Sequence, residues 1–155
     1  MNLTPLSSPA AATQSDRYSR MPGCLFGYWV HLTGGTLRRA HLAEVYRQLK
    51  ARPDSVDQAW LAAGLDLGIA KLLCRKTAGL RAWPNDRFIP DDPIDVVLDD
   101  PWGDLDMVDV LLDCEQELGI HVLRGSGGDF EHSTTMGDLV RELMKARGRV
   151  GNGAA

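Results

Sequence analysis

Residues 103–120, with the sequence GDLDMVDVLLDCEQELGI, decide the fold of this chain. Leucines and valines recur in this stretch every three or four positions, the spacing that places them on one side of an α-helix. Gly103 or Asp104 can begin the helix as its N-cap. Gly119 followed by Ile120 is typical of a Schellman ending, in which the glycine turns the chain and the isoleucine folds back. The stretch therefore predicts one amphipathic helix with defined ends.

The open side of this helix is expected to carry four carboxylates, those of Asp106, Asp109, Asp113 and Glu117. They belong to an acidic segment, residues 86–117, in which twelve acids and one base give a charge of −11. The rest of the chain has sixteen bases and nine acids, a charge of +7, so that the whole carries −4. Such a surface repels nucleic acid and anionic membranes and attracts basic protein surfaces. It predicts a docking surface, although a solvated face that only aids solubility has the same composition.

The segments before this stretch also predict helices. The first covers residues 36–51, with one apolar stripe. Ser55 and Gln58 have the spacing of a capping box, which predicts a second helical pattern beginning there. Gly64 weakens that pattern, so we expect a break or a close helix contact near it. Gly79 is the expected C-terminal cap.

A long loop over residues 81–102 comes before the acidic helix, and its apolar side chains are expected to fill the bundle. Thr135 and Asp138 have the spacing of a weaker capping box, which predicts a final helix. The residues expected to fill the bundle from the loop are Phe88, Ile89, Ile94, Val97 and Leu98. The predicted core contains Leu67, Leu72, Leu73, Ile94, Leu105, Val108, Leu111, Leu112, Ile120, Leu139 and Leu143.

Three phrases together resemble the acyl carrier protein family: the Leu-Asp-x-Val-Asp run at 105–109, the Leu-Gly-Ile ending at 118–120 and Thr-Met-Gly-Asp at 135–138. They occur in the family's order and at its distances, and the resemblance covers about residues 65–147. It implies an all-α fold, a small acyl-carrier-protein-like helical bundle with an extra N-terminal helical segment. The expected divisions are a disordered leader (1–20), an apolar segment plus helix (21–54), the carrier-like bundle (55–147) and a flexible tail (148–155).

Asp104 occupies the position at which the carrier family has the serine that bears phosphopantetheine. A carboxylate can cap the helix, but it has no hydroxyl to phosphorylate, so the resemblance implies no phosphopantetheine cofactor here. The enzymes and transferases that act on carrier proteins dock on the matching helix through Arg and Lys patches. The partner-binding residues that this implies are Asp104, Asp106, Met107, Asp109, Asp113 and Glu117.

We therefore expect a non-catalytic binding or regulatory module, not an enzyme, that docks a basic partner protein such as an enzyme of fatty-acid or polyketide synthesis. One alternative is a genuine carrier protein of lipid or polyketide synthesis that is modified at another serine. A further alternative is a protein that binds an apolar ligand near its methionines, or a cation through its dense carboxylates. The spacing of those carboxylates fits no EF-hand loop.

Composition narrows the remaining classes. The three cysteines, Cys24, Cys74 and Cys114, are far apart without metal-site spacing, which favours reduced thiols in a cytoplasmic protein without a metal. The four histidines have no Ser or Cys partner at a catalytic spacing. No apolar stretch approaches the roughly 20 residues that a membrane-spanning helix needs. We expect a cytoplasmic protein with neither a membrane span nor a nucleic-acid partner.

Overall fold

The computed structural model describes residues 3–7, 42–98, 105–121 and 133–152. Within these ranges the chain is all-α, as predicted: its regular structure is helical, and the β-type pairing is a single antiparallel bridge between Pro93 and Thr135. The helices are α1 (42–51), α2 (Asp57–Ala62), α3 (Leu67–Arg81), α4 (Ile94–Leu98), α5 (Leu105–Leu118) and α6 (Met136–Asn152).

Helix α3 is the centre of the bundle, and it packs against α2, α4, α5 and α6. It begins at Asp66, whose carboxylate accepts the backbone N–H of Ile69 at 2.9 Å and so caps the helix. Because α3 has neighbours on several sides, much of its surface is apolar. Its buried residues are Ile69, Ala70, Leu72, Leu73, Cys74 and Thr77.

The helical pattern that begins near Ser55 is divided in two at Gly64, as predicted. Gly64 has a left-handed φ of 69°, and the N–H of Leu65 donates to the carbonyl of Trp60 at 3.1 Å. This bond closes a Schellman turn at the end of α2. The predicted capping box at Ser55 is wrong, because α2 has Val56 as its N-cap with no side-chain hydrogen bond.

Helix α3 does not end at Gly79, so that prediction is also wrong. The helix continues to Arg81, and Ala82 adopts the left-handed conformation with a φ of 51°. The added turn places Trp83 in the core, where its indole N–H donates to the carbonyl of Val97 at 3.0 Å. Burial of a tryptophan with its polar atom satisfied outweighs the strain of one left-handed alanine.

The other predicted helix ends are confirmed. Gly119 has a φ of 64°, and the N–H of Ile120 donates to the carbonyl of Glu115 at 3.1 Å, which is the Schellman bond. At the start of α6, the hydroxyl of Thr135 accepts the N–H of Asp138 at 3.2 Å, and the carboxylate of Asp138 accepts the N–H of Thr135 at 3.1 Å. This reciprocal pair is a capping box.

The loop before α5 fills the bundle as expected, because all five of its predicted apolar residues are buried. Backbone bonds join this loop to α6: Met136 N–H donates to the carbonyl of Asp92 at 2.9 Å, and Gly137 N–H donates to that of Pro90 at 2.8 Å. A Cβ on Gly137 would lie 3.0 Å from that carbonyl oxygen of Pro90. The close approach accounts for the glycine in the Thr-Met-Gly-Asp phrase.

The predicted core is mostly confirmed. Leu67 and Val108 are half-buried, and the side chain of Leu105 lies outside the described part of the structure. Leu112 is 47% exposed, so its assignment to the core is wrong. It lies about 100° around the helix from the buried Leu111, beyond the side that α3 covers. The predicted core residues that are buried are Leu72, Leu73, Ile94, Leu111, Ile120, Leu139 and Leu143.

The two ends of the chain differ from the predicted leader and tail. Residues 3–7 lie against the helices with Leu6 buried, and α6 continues through residues 148–152 to Asn152. The first predicted helix is confirmed over 42–51 as α1. Residues 8–41, which include the start of that predicted helix, and residues 122–132 lie outside the described ranges.

Candidate functional site

The predicted docking surface lies on α5, and we define the α5 acidic surface as Asp106, Met107, Asp109, Asp113 and Glu117. Asp104, the sixth predicted residue, lies outside the described ranges. Met107 is half-buried and packs against the hydrophobic core, so it forms the base of this surface. The four carboxylates carry the negative charge of the surface.

Two cations of α3 face the C-terminal half of this surface. Arg75 Nη2 lies 2.5 Å from Glu117 Oε1, and Lys76 Nζ lies 3.3 Å from Glu117 Oε2 and 3.4 Å from Asp113 Oδ2. One lysine therefore bridges two carboxylates one helical turn apart. The side chains of Asp113 and Glu117 keep 59% and 46% of their surface exposed, so these pairs are open to solvent.

A third pair lies at the other end of α5, where Arg81 of α3 contacts Asp106. The later a residue comes in α3, the earlier its partner comes in α5, so the two helices run antiparallel. Three cations thus face four carboxylates, and this surface keeps one net negative charge. The prediction that the carboxylates lie on the open side of α5 is confirmed for Asp109, Asp113 and Glu117, which are exposed, whereas Asp106 is half-buried beside Arg81.

These contacts change the acid–base properties of the surface. The hydrogen bond with Glu117 raises the pKa of Lys76. Loss of hydration would raise the pKa of Glu117, but its hydrogen bonds and charge interactions with Lys76 and Arg75 outweigh that effect and lower the pKa of the carboxyl. Glu117 therefore stays ionised at neutral pH and below.

The remaining open part of α5 combines charge with an apolar side chain. Asp109 is exposed and has no ion-pair partner among the described residues. Leu112 and Gln116, one and two turns further on, are also exposed. Asp113 is adjacent to Leu112 and forms an ion pair with Lys76. An exposed leucine between carboxylates is therefore the feature that α5 presents to solvent.

A second polar site, which the sequence did not predict as such, is built around Asp92. Asp92 is fully buried, and its two carboxylate oxygens accept from Arg52 Nη1 at 2.5 Å and Nη2 at 2.6 Å. The N–H of Ile89 adds a bond of 2.8 Å to Oδ2, and Arg52 Nη1 also donates to the carbonyl of Arg87 at 2.9 Å. A buried carboxylate needs such a set of donors, since an unpaired buried charge is costly.

The same pair holds the N-terminal segment 3–7. Leu6 N–H donates to Asp92 Oδ1 at 2.8 Å, and Arg52 Nη2 donates to the carbonyl of Thr4 at 3.0 Å. The sequence places Asp92 only within a dense acidic run and Arg52 only at a helix end before a proline. Neither position has a local pattern that reveals a partner 40 residues away.

Three of the residues that could serve a cation or an apolar ligand have partners within the described structure. Asp92, one of the carboxylates considered for a cation, is occupied by Arg52, and no group of three metal-binding side chains occurs among the described residues. Met136 is buried in the core, and the sulfur of Met144 accepts the backbone N–H of Asp66 at 3.4 Å. Both methionines thus have structural contacts.

The two described cysteines are buried, and neither forms a disulfide. Burial raises the pKa of Cys74 well above its ordinary range and raises that of Cys114 to about 12. Both are therefore neutral thiols at physiological pH, and a neutral thiol is a poor nucleophile. They behave as small core side chains.

Among the described residues, no helix has the length and apolar character needed to cross a membrane. Comparison of the chain with protein-family models, with curated proteins and with solved structures gives no match. Function must therefore be inferred from the side chains of the site.

Proposed function

We propose that this chain is a non-catalytic, acyl-carrier-protein-like binding module that lacks the phosphopantetheine serine and docks a basic partner protein on α5. The order of elements supports the proposal: a central helix α3, a long loop whose apolar residues fill the bundle, the acidic helix α5 and a final helix α6 opened by a capping box. This is the order that the resemblance to the carrier family implies.

The observation that carries the docking proposal is the exposed stripe of Asp109, Leu112 and Gln116, which Asp113 borders. A single exposed leucine is ordinary on a protein surface. Here it is flanked by carboxylates, one of them without a partner among the described residues. A partner with an apolar pocket and basic residues around it would match both properties.

The ion pairs with α3 do not prevent such docking. Exposed ion pairs contribute only about 0–1 kcal/mol each, because water competes for both charges. A partner's arginine can therefore replace Lys76 at Asp113, or Arg75 at Glu117, at little cost. Without a partner, the cations of α3 neutralise these carboxylates, and a basic partner displaces them when it binds.

A broad-specificity phosphopantetheinyl transferase provides a basic probe, because transferases of this kind dock on the matching helix of carrier proteins. Asp104→Ser supplies an acceptor hydroxyl, and the rate of transfer from coenzyme A then measures docking. We expect Asp109→Lys in this background to lower the rate by about tenfold, because reversing a rim charge slows association. The rate should also fall as salt is added.

Asp86→Lys is the matched control. Asp86 is an exposed acid of the same segment, in the loop whose neighbouring Asn85 donates to the carbonyl of Leu49 in α1 at 3.0 Å. The charge change is identical, but the position is not on α5. Equal rates for the Asp109→Lys and Asp86→Lys variants would contradict docking on α5.

A further inference from the structure

The N-terminal segment 3–7 is attached to the bundle in the manner of a bound peptide. It forms neither helix nor strand, and the 34 residues 8–41 that join it to α1 lie outside the described ranges. Leu6 is only 2% exposed, whereas its neighbours Thr4, Pro5 and Ser7 are all exposed. One leucine therefore anchors the segment.

The polar contacts of the segment are made through its main chain. Besides the bonds of Asp92 to Leu6 and of Arg52 to Thr4, the side-chain amide of Gln48 accepts the N–H of Ser7 at 3.1 Å and donates to the carbonyl of Ser7 at 2.9 Å. Gln48 therefore makes two hydrogen bonds to the main chain of one residue, as the main chain of a neighbouring β-strand would. Because main-chain atoms are common to all residues, specificity is concentrated in the leucine.

The three side chains that bind the segment, Gln48, Arg52 and Asp92, form a groove, and other parts of the structure hold them in place. Asp92 accepts from Ile89 and Arg52, and Arg52 donates to the carbonyl of Arg87, so the two charged groups are held by the loop and by each other. Gln48 Nε2 also lies 2.7 Å from Glu44 Oε1 on the same helix. The donors and acceptors are therefore positioned before a peptide arrives, which lowers the entropic cost of binding.

We propose that the groove formed by Gln48, Arg52 and Asp92 is a binding site for a leucine-containing peptide, and that residues 3–7 are its detachable intramolecular ligand. A free peptide of the same sequence presents the same leucine and the same main-chain atoms to these side chains. Release of the segment frees the polar atoms of Gln48, Arg52 and Asp92 that now bind its main chain. The segment thereby acts as a removable cover of a second interaction site.

The test uses the full chain with a protease recognition sequence placed within residues 9–19, so that the protein folds intact and is then cut. The probe is a fluorescein-labelled peptide with the sequence of residues 1–9, and its anisotropy reports binding after overnight exchange. We expect the cut protein to bind the peptide at least about tenfold more tightly than the uncut protein, whose own segment competes at high effective concentration. A peptide with Leu6→Asp should bind about tenfold more weakly or worse.

A peptide with Leu3→Asp is the matched control, because the same change is made at a half-buried leucine three positions away. It should lose less affinity than the Leu6→Asp peptide. Absence of peptide binding to the cut protein overturns the proposal, whether the protein keeps its own segment permanently or unfolds. Equal binding of the Leu3→Asp and Leu6→Asp peptides also overturns it.

Discussion

Replacement of Asp92 by asparagine tests the buried charge pair that joins the N-terminal segment, α1 and the loop before α5. Asp92 accepts four hydrogen bonds, two from Arg52 and one each from the N–H groups of Leu6 and Ile89. Asparagine keeps the shape, but it replaces one acceptor oxygen with a donor that faces other donors. Arg52, whose side chain is only 7% exposed, then keeps its charge without a counter-charge.

We expect Asp92→Asn to lower the free energy of unfolding by about 3–5 kcal/mol, the typical cost of removing one partner of a buried ion pair. Since domains of this kind have only about 5–15 kcal/mol of stability, this is a large fraction of the total. Urea unfolding followed by circular dichroism measures the change through the midpoint and slope. Hydrogen exchange of the Leu6 amide should become faster in the same variant.

Asp91→Asn is the control, because the adjacent Asp91 is exposed and has no ion-pair partner among the described residues. Its effect should stay within about 0.5 kcal/mol. The variant with both Asp92→Asn and Arg52→Met should lose less than the sum of the single changes, because the two groups interact directly. A stability of Asp92→Asn within about 1 kcal/mol of the wild type would refute the assigned role of the pair.

Three further predictions test helix ends and thiols. Gly79→Ala and Ala82→Gly should each stabilise the protein by about 0.5–1 kcal/mol in thermal unfolding, because α3 passes through Gly79 and the chain is left-handed at Ala82. A loss of stability in Gly79→Ala would place the end of the helix at Gly79. Cys74 and Cys114 should resist iodoacetamide at pH about 8 in the folded protein and react with it in urea, as peptide mass spectrometry can show. Rapid labelling of either cysteine in the folded state would contradict their raised pKa values. Hydrogen bonds from Thr135 and from the backbone of Thr134 outweigh burial and lower the pKa of Asp138, so the contribution of its carboxylate should be constant above pH about 5 and disappear as pH falls below about 4; an Asp138→Asn variant with unchanged acid unfolding would disprove this.

Features that depend on neighbouring residues in the chain could be predicted from the sequence. The Schellman ending at Gly119, the break at Gly64 and the capping box of Thr135 and Asp138 each involve groups fewer than six positions apart. The burial of Phe88 and its apolar neighbours followed from the resemblance to a known bundle. The all-α class follows from such local preferences.

The remaining features depend on contacts between distant segments. The end of α3 is set by where Trp83 must lie against Val97, which local preference for glycine at Gly79 does not reveal. Leu112 is one of the regularly spaced apolar residues of α5, but the neighbouring elements cover only part of the side of the helix on which these residues lie, and Leu112 is outside that part.

The candidate sites show the same limit. The carboxylates of α5 were identified by type and spacing, but their partners on α3 come from the antiparallel packing of two helices. Asp92 and Leu6 are 86 residues apart, and no pattern in a single sequence joins them. The peptide-like attachment of residues 3–7 is therefore visible only in the structure.

The measurement that tests the central claim most directly is the intact mass of the protein after incubation with a broad-specificity phosphopantetheinyl transferase and coenzyme A. A carrier-like module that lacks its attachment serine should show no mass gain as the wild type and a gain of one phosphopantetheine group as Asp104→Ser. A gain in the wild type would contradict the account and indicate a working carrier protein modified at another serine. An Asp104→Ser variant that stays unmodified would contradict the carrier-like identity of α5.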